Sequence, residues 1–190
     1  MRTPRQAART VVLDPAGSVF LLRSDNSEIG VHWSPPGGGL DRGESPEQAA
    51  TRELREETGW TDLRPGALLC TWEHDFTWHG TPVRQSEWIF LADGPHRTPQ
   101  GDLSAVHTKD RILEWRWWTP QELAAPDAAQ FWPPALPQLL AAVRAARAEG
   151  SPDPEAAHLG YLPNAPRPAG GSTGEPTSGW WQRTARRLLA

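Results

Sequence analysis

Cysteine is nearly absent from this chain of 190 residues, with Cys70 its only example. One cysteine excludes an internal disulfide framework and any multi-cysteine zinc site. Long apolar runs are missing too, and none approaches the ~18 residues needed to span a bilayer. The basic opening MRTPRQAART is not followed by an apolar region with a cleavage site, so no export signal is legible. These features favour a cytoplasmic location. Positive charge is not in surplus: the formal net charge is −4. That leaves no basic footprint for duplex nucleic acid. The six histidines show no ligand spacing such as H-x-x-x-H, no G-x-S-x-G occurs, and there is no internal repeat.

Hydrophobic residues make up 37% and charged residues 22% of the chain, the balance of an ordinary globular protein. The length suits one domain of about 150 residues with a remainder. Tryptophan, at 11 residues, is unusually common. Most of these rings are expected in core and pocket walls, with a few free to stack on a base.

Alternation and turn residues predict strands over 10–13 and 19–23 around an Asp14-Pro15-Ala16-Gly17 turn. Residues 33–39, WSPPGGG, read as irregular chain. Strands follow at 68–78 and 83–92, joined by the turn His79-Gly80-Thr81-Pro82 as an antiparallel hairpin. Cys70 falls on the apolar face of the first and reads as a buried structural thiol. Residues 93–111 read as a long polar loop, a length often associated with function. A short strand at 114–118, a helix start at Thr119-Pro120 and an amphipathic helix at 136–148 complete the domain, taken as residues 1–148. Residues 149–190 read as a Pro/Gly-rich disordered tail ending in a cationic amphipathic segment, WWQRTARRLLA, at 180–190. That segment suits a partner groove or an anionic membrane surface, or simple docking back on the domain.

The strongest helix covers residues 45–58. Ser45 is placed as N-cap, Pro46 at the first helical position, and Gln48 completes a capping box. Gly59 is placed to end it in the left-handed conformation. Ala50 and Leu54 face the core, while Glu53, Glu56 and Glu57 share another face at i, i+3 and i+4. These like charges repel, and two of them sit at the negative end of the helix dipole. Arg52 offsets only part of this by pairing with Glu56. A local rule broken so specifically points to function. A hard divalent cation, Mg²⁺ or Mn²⁺, would relieve the conflict.

The full spacing is Gly38-x5-Glu44-x7-Arg52-Glu53-Leu54-x-Glu56-Glu57-x-Gly59-Trp60. It resembles the Nudix box, with Trp60 where an aliphatic residue is usual. The resemblance covers residues 9–145 in layout and is specific across 37–60. It implies an α/β class fold, a Nudix-type α/β/α sandwich with a mixed β-sheet. It also implies metal ligation by Glu53, Glu56 and Glu57, an orienting role for Arg52 and help at a further metal from Glu44. Gly37, Gly38 and Gly39 would let the backbone approach substrate closely. The implied activity is metal-dependent hydrolysis of a pyrophosphate linkage in a small nucleoside diphosphate derivative.

The helical carboxylates being committed to metal, the proton acceptor is sought downstream. Glu87 is the first candidate, lying on the strand face of Val83, Ile89 and Leu91 where a charge is out of place. Glu114, at the end of the long loop, is the rival and Asp110 the weaker third. Trp33, Trp78 and His74 are candidates for a base or sugar pocket, although core packing is the commoner fate of such residues. A P-loop reading of Gly38-x4-Gly43-Glu44-Ser45 fails, because glutamate replaces the phosphate-binding lysine. The Cys70 neighbourhood does not resemble that of isopentenyl diphosphate isomerase, which shares the core. A catalytically weak nucleotide-sensing or interaction module on the same fold is the alternative function. A homodimer is compatible with the sequence.

Overall fold

The structure, a computed structural model, describes residues 1–125 and 130–163. The sheet is mixed: β1 (Thr3–Leu13) runs parallel to β6 (Thr81–Asp93) along its whole length and antiparallel to β2 (Val19–Asn26) at its end. β3 (Gly30–Ser34) pairs with β2, and the short β4 (Gly37–Gly39) pairs with β1. β5 (Leu68–Trp78) forms the expected antiparallel hairpin with β6, turning at His79 and Gly80, both at positive φ. β7 (Ile112–Trp118) closes against the free side of β2. Helices lie on both faces: α1 (Pro46–Thr58) on one, α4 (Leu136–Ala148) on the other, with the short α2 (Ser104–Lys109) and α3 (Pro120–Ala124) in the connections.

Strand alternation divides the core between these faces. Val11, Leu13, Leu21, Ile89 and Leu91 pack with Leu136, Leu140 and Val143 of α4. Val12, Phe20 and Leu22 pack with Leu54 of α1 and with Trp60. The unusual aromatic after the helix is accommodated there: Trp60 stacks near Phe20 and Trp117, and its indole N–H donates to the Thr98 carbonyl at 3.1 Å. Cys70 is buried, which pushes its thiol up to about 12, as a structural thiol requires. Among the described residues no helix is long and apolar enough to cross a membrane.

Four stretches differ from expectation. Residues 33–39, read as irregular chain, hold the end of β3 and the whole of β4, which pair with β2 and β1 around the two prolines. β1 begins seven residues before the predicted strand, since Thr3 is its first residue and 10 the predicted start. Its polar half is held by long-range pairing with β6 and β4, which no apolar alternation announces. Residues 104–109 form α2 inside the predicted loop, without a side-chain cap and without a buried residue. Finally, the tail expected from residue 149 contains β8 (Ala157–Tyr161), which pairs parallel to β5. Leu159 and Leu162 join the core on the α4 face, so the folded unit extends beyond Ala148. Two apolar residues in a proline-rich stretch are enough, because β5 offers them a free edge. The amphipathic segment at 180–190 lies outside the described residues.

Candidate active site

Both ends of α1 are built as its sequence dictates. Ser45 and Gln48 form the reciprocal capping box, and Gly59 caps the C-terminus at φ 73° with its N–H bonded to the Arg55 carbonyl. A Cβ at Gly59 would lie 2.0 Å from the Gln100 carbonyl oxygen, so glycine is also required by the loop that crosses there. The helix is thereby fixed against β1 and β4, its carboxylate face turned to a cleft of about 1320 Å³. The cleft runs from the glycine strand β4 and the loop leading from it to α1 to the tip of the β5–β6 hairpin.

Glu57 is buried and accepts the Gly37 N–H at 2.7 Å. Burial pushes its carboxyl well above the usual carboxylate range, and the neighbouring charge of Glu53 pushes it further. Glu53 is raised in the same direction by its own burial, against a 2.7 Å hydrogen bond from Arg52. Gly38 makes room for this carboxylate: a Cβ there would meet all three of its carboxyl atoms at 2.6–2.8 Å. Glu56 is the exposed member of the three, with 41% of its side chain accessible and a long 3.4 Å contact to Arg52.

Arg52 does more than pair with Glu56. Its guanidinium donates to Glu44 through Nε and Nη2, to Glu53 through Nη1, and to the Gly39 carbonyl at 2.8 Å. These bonds raise its own basicity and hold Glu44 below the usual carboxylate range. Arg52 therefore ties the glycine strand to the helix and engages Glu44, which the sequence had suggested as a ligand. Among the described residues no three His, Cys, Asp or Glu side chains already converge as an ion cage.

The downstream candidates separate cleanly. Glu87 lines the cleft from a buried position on the alternation that faces α4, where one oxygen accepts Arg9 Nε at 2.9 Å and the other Trp72 Nε1 at 2.6 Å. Burial alone would raise its carboxyl, but the Arg9 charge and His74 outweigh that and hold it far below the usual range. Arg9 in turn donates to the carbonyls of Pro35 at 3.0 Å and Gly37 at 3.1 Å. Gly37 is thus held through both of its backbone polar groups, its N–H by Glu57 and its carbonyl by Arg9. Its φ of 151° and a notional Cβ only 2.3 Å from the Ala8 carbonyl make glycine obligatory there. Arg9 was not singled out in the sequence; an arginine two residues before a core valine, in register with the strand bearing Glu87, was the available signal.

Glu114 lies half exposed on β7, paired with Arg23 at 2.8 Å, and does not line the cleft. Asp110, the weaker candidate, does line it, and its charge bears on both Glu53 and Glu57. The segment carrying Asp110 is attached to the helix end by a 2.9 Å contact of His107 Nε2 with the Glu57 carbonyl. Of the aromatic candidates, Trp33 is core, while His74 and Trp78 line the cleft.

A mixed sheet covered by helices, with one helix presenting buried carboxylates to a polar cleft, is the build of an α/β enzyme. It is a Nudix hydrolase: the NUDIX domain model matches residues 3–139, and the chain belongs to that family. The chain is 33% identical over 130 residues to an RNA pyrophosphohydrolase of Erythrobacter litoralis, covering 63% of this chain and 78% of that protein. It is 44% identical over 70 residues to an 8-oxo-dGTP diphosphatase of Proteus vulgaris, covering 36% of this chain and 62% of that protein. The NUDIX hydrolase structure from Nitrosomonas europaea matches with a TM-score of 0.56 at 18% identity, covering 86% of this chain and 81% of that one. That likeness bears on the fold alone.

Proposed function

We propose that this protein hydrolyses the pyrophosphate linkage of a nucleoside diphosphate derivative, with Mg²⁺ or Mn²⁺ held by Glu53, Glu56 and Glu57. The observation that carries the reading is the pair Glu53 and Glu57, two desolvated like charges kept side by side at the edge of a cleft. Such a pair is costly in an apoprotein and suits a hard cation, since all its donors are oxygens. The missing Cβ of Gly38 admits the Glu53 carboxylate to the cleft edge, and the exposed Glu56 is free to swing in from Arg52. When bound, such an ion neutralises phosphate oxygens and lowers the pKa of an attacking water.

The chain's own groups supply the remainder. Arg52 orients Glu53 and braces β4, so the backbone of Gly37 to Gly39 borders the reacting phosphate at close range. Glu87 acts through Arg9 as a positioning residue: a carboxylate held this far below the usual range is too weak a base to take a proton from water efficiently. Asp110 is the carboxylate outside the helix suited to accept the proton of the attacking water, being exposed and within electrostatic reach of Glu53 and Glu57. The names of the two relatives, an RNA pyrophosphohydrolase and an 8-oxo-dGTP diphosphatase, support a nucleotide-type substrate.

The test is a panel of nucleoside triphosphates, nucleotide sugars, ADP-ribose and dinucleoside polyphosphates, incubated with purified protein and Mg²⁺ or Mn²⁺. Product masses that place cleavage within a phosphate chain, abolished by chelation, are expected. Turnover that survives chelation, or cleavage outside a pyrophosphate linkage, would overturn the reading.

A further inference from the structure

Two arginines of the cleft, Arg5 and Arg42, have no carboxylate within ion-pair distance among the described residues. Arg42 is exposed, but Arg5 is half-buried. An unpaired cation withdrawn from water is unfavourable and calls for a reason. Burial and the nearby Arg9 charge oppose its protonation more than the charges of Glu87, Glu53 and Asp110 favour it, and guanidinium nevertheless stays charged.

The side chain of Arg5 is held in place by neutral groups. Nη1 donates to the Gln85 amide oxygen. The guanidinium lies 4.9 Å from the Trp78 ring centroid and 6.0 Å from that of Phe76. Its Nη2 points along β4, 2.6 Å from where a Cβ of Gly39 would be. Gly39 therefore separates two guanidiniums: its carbonyl takes Arg52 on the helix side, while its missing side chain leaves Arg5 at the surface of the cleft. One residue away, Gly38 abuts Glu53. Arg5 and Glu53 line the same cleft and the Glu53 charge acts on Arg5, so an anion held near Glu53 by a cation has a second, fixed positive group close by.

We propose that Arg5 anchors a second phosphate group of the substrate, next to the one attacked, and that Trp78 walls the adjoining part of the cleft. This rests on the pyrophosphate chemistry proposed above. Arginine suits the task because its planar fork meets phosphate oxygens in pairs. The aromatic faces on Arg5 fix the fork without neutralising it. Gly39 is then a specificity element, since any side chain there would displace the fork.

Inorganic pyrophosphate with Mg²⁺ is the probe, titrated calorimetrically into the full-length protein and into Arg5→Gln, Arg5→Lys and Gly39→Ala. Loss of one charge-assisted phosphate contact should weaken binding about 10- to 100-fold in Arg5→Gln. Arg5→Lys should retain part of the affinity. Gly39→Ala should also weaken binding, because its Cβ meets only the flexible end of Arg5 and the fold can tolerate it. KM for the best nucleotide substrate should rise more than kcat falls. Should Arg5→Gln fail to fold, Gly39→Ala decides alone. Wild-type affinity in the variants that fold would overturn the assignment. A wild type that neither binds pyrophosphate nor cleaves any nucleotide would instead overturn the function on which it rests.

Discussion

Replacing Glu87 by glutamine separates a proton acceptor from a buttress. The carboxylate is buried and takes hydrogen bonds from Arg9 at 2.9 Å and Trp72 at 2.6 Å. Glutamine keeps the shape but removes the counter-charge hydrogen-bonded to the Arg9 guanidinium. Removing one partner of a buried pair costs about 3–5 kcal/mol. At roughly 2–4 °C per kcal/mol for a chain of this size, the melting temperature should fall by about 6–20 °C. The pH dependence has a definite sign. The folded Glu87 carboxyl lies below its ordinary value of 4.5, so its stabilisation is complete above that pH and is lost as pH falls through the folded value. The gap between wild type and Glu87→Gln should therefore be widest at neutral pH and narrow under acid. Urea melts across pH 3–8, about 1–3 kcal/mol per molar of slope, measure it directly. Activity should fall through displacement of the Gly37 peptide, with the acidic limb of the pH–rate profile kept. A variant that melts with wild type but has lost its acidic limb would refute the reasoning and restore Glu87 as the base.

Glu57→Gln should lower turnover at least about 100-fold while melting in chelator stays equal or rises, because a buried like-charge contact is removed and the amide can still accept the Gly37 N–H; a fall in both would mark Glu57 as structural. Gly38→Ala should reduce activity more than about tenfold with little change in melting, since the atoms nearest its Cβ are those of the Glu53 carboxylate at the end of a side chain, and unchanged kinetics would mean that Glu53 is not held at the metal. Glu114→Gln should change stability by less than about 1 kcal/mol and leave the rate alone, as its pair with Arg23 is exposed; loss of the acidic limb there would return it to the site. A chain ending at Gly150 loses the burial of Leu159 and Leu162, at most about 3–6 kcal/mol, whereas one ending after Pro163 keeps it. Identical melting of the two chains would show that β8 contributes nothing.

Local rules made α1 legible in full, including its capping box, its glycine stop and its acidic face, because each depends on residues within one turn of another. The β5–β6 hairpin and the buried Cys70 were legible for the same reason: alternation and a tight turn are written into consecutive residues. Spacing alone marked Glu53, Glu56 and Glu57 as a set, since one helix carries all three. The carboxylates beyond that helix were a different matter. Glu87 was correctly seen as a charge on an apolar strand face, but only tertiary structure decided which layer that face meets and that Arg9 of a neighbouring strand neutralises it. Asp110 ranked last in sequence because nothing local distinguishes an aspartate in a polar loop; α2 and the His107 contact bring it round to the helix end. β8 and the polar half of β1 were unreadable because their stabilisation lies in the strand beside them. A helix satisfies its backbone within its own residues, whereas a strand satisfies it with distant ones, and apart from Asp110, which α2 carries, the parts of this site decided by the fold alone are those held by strands.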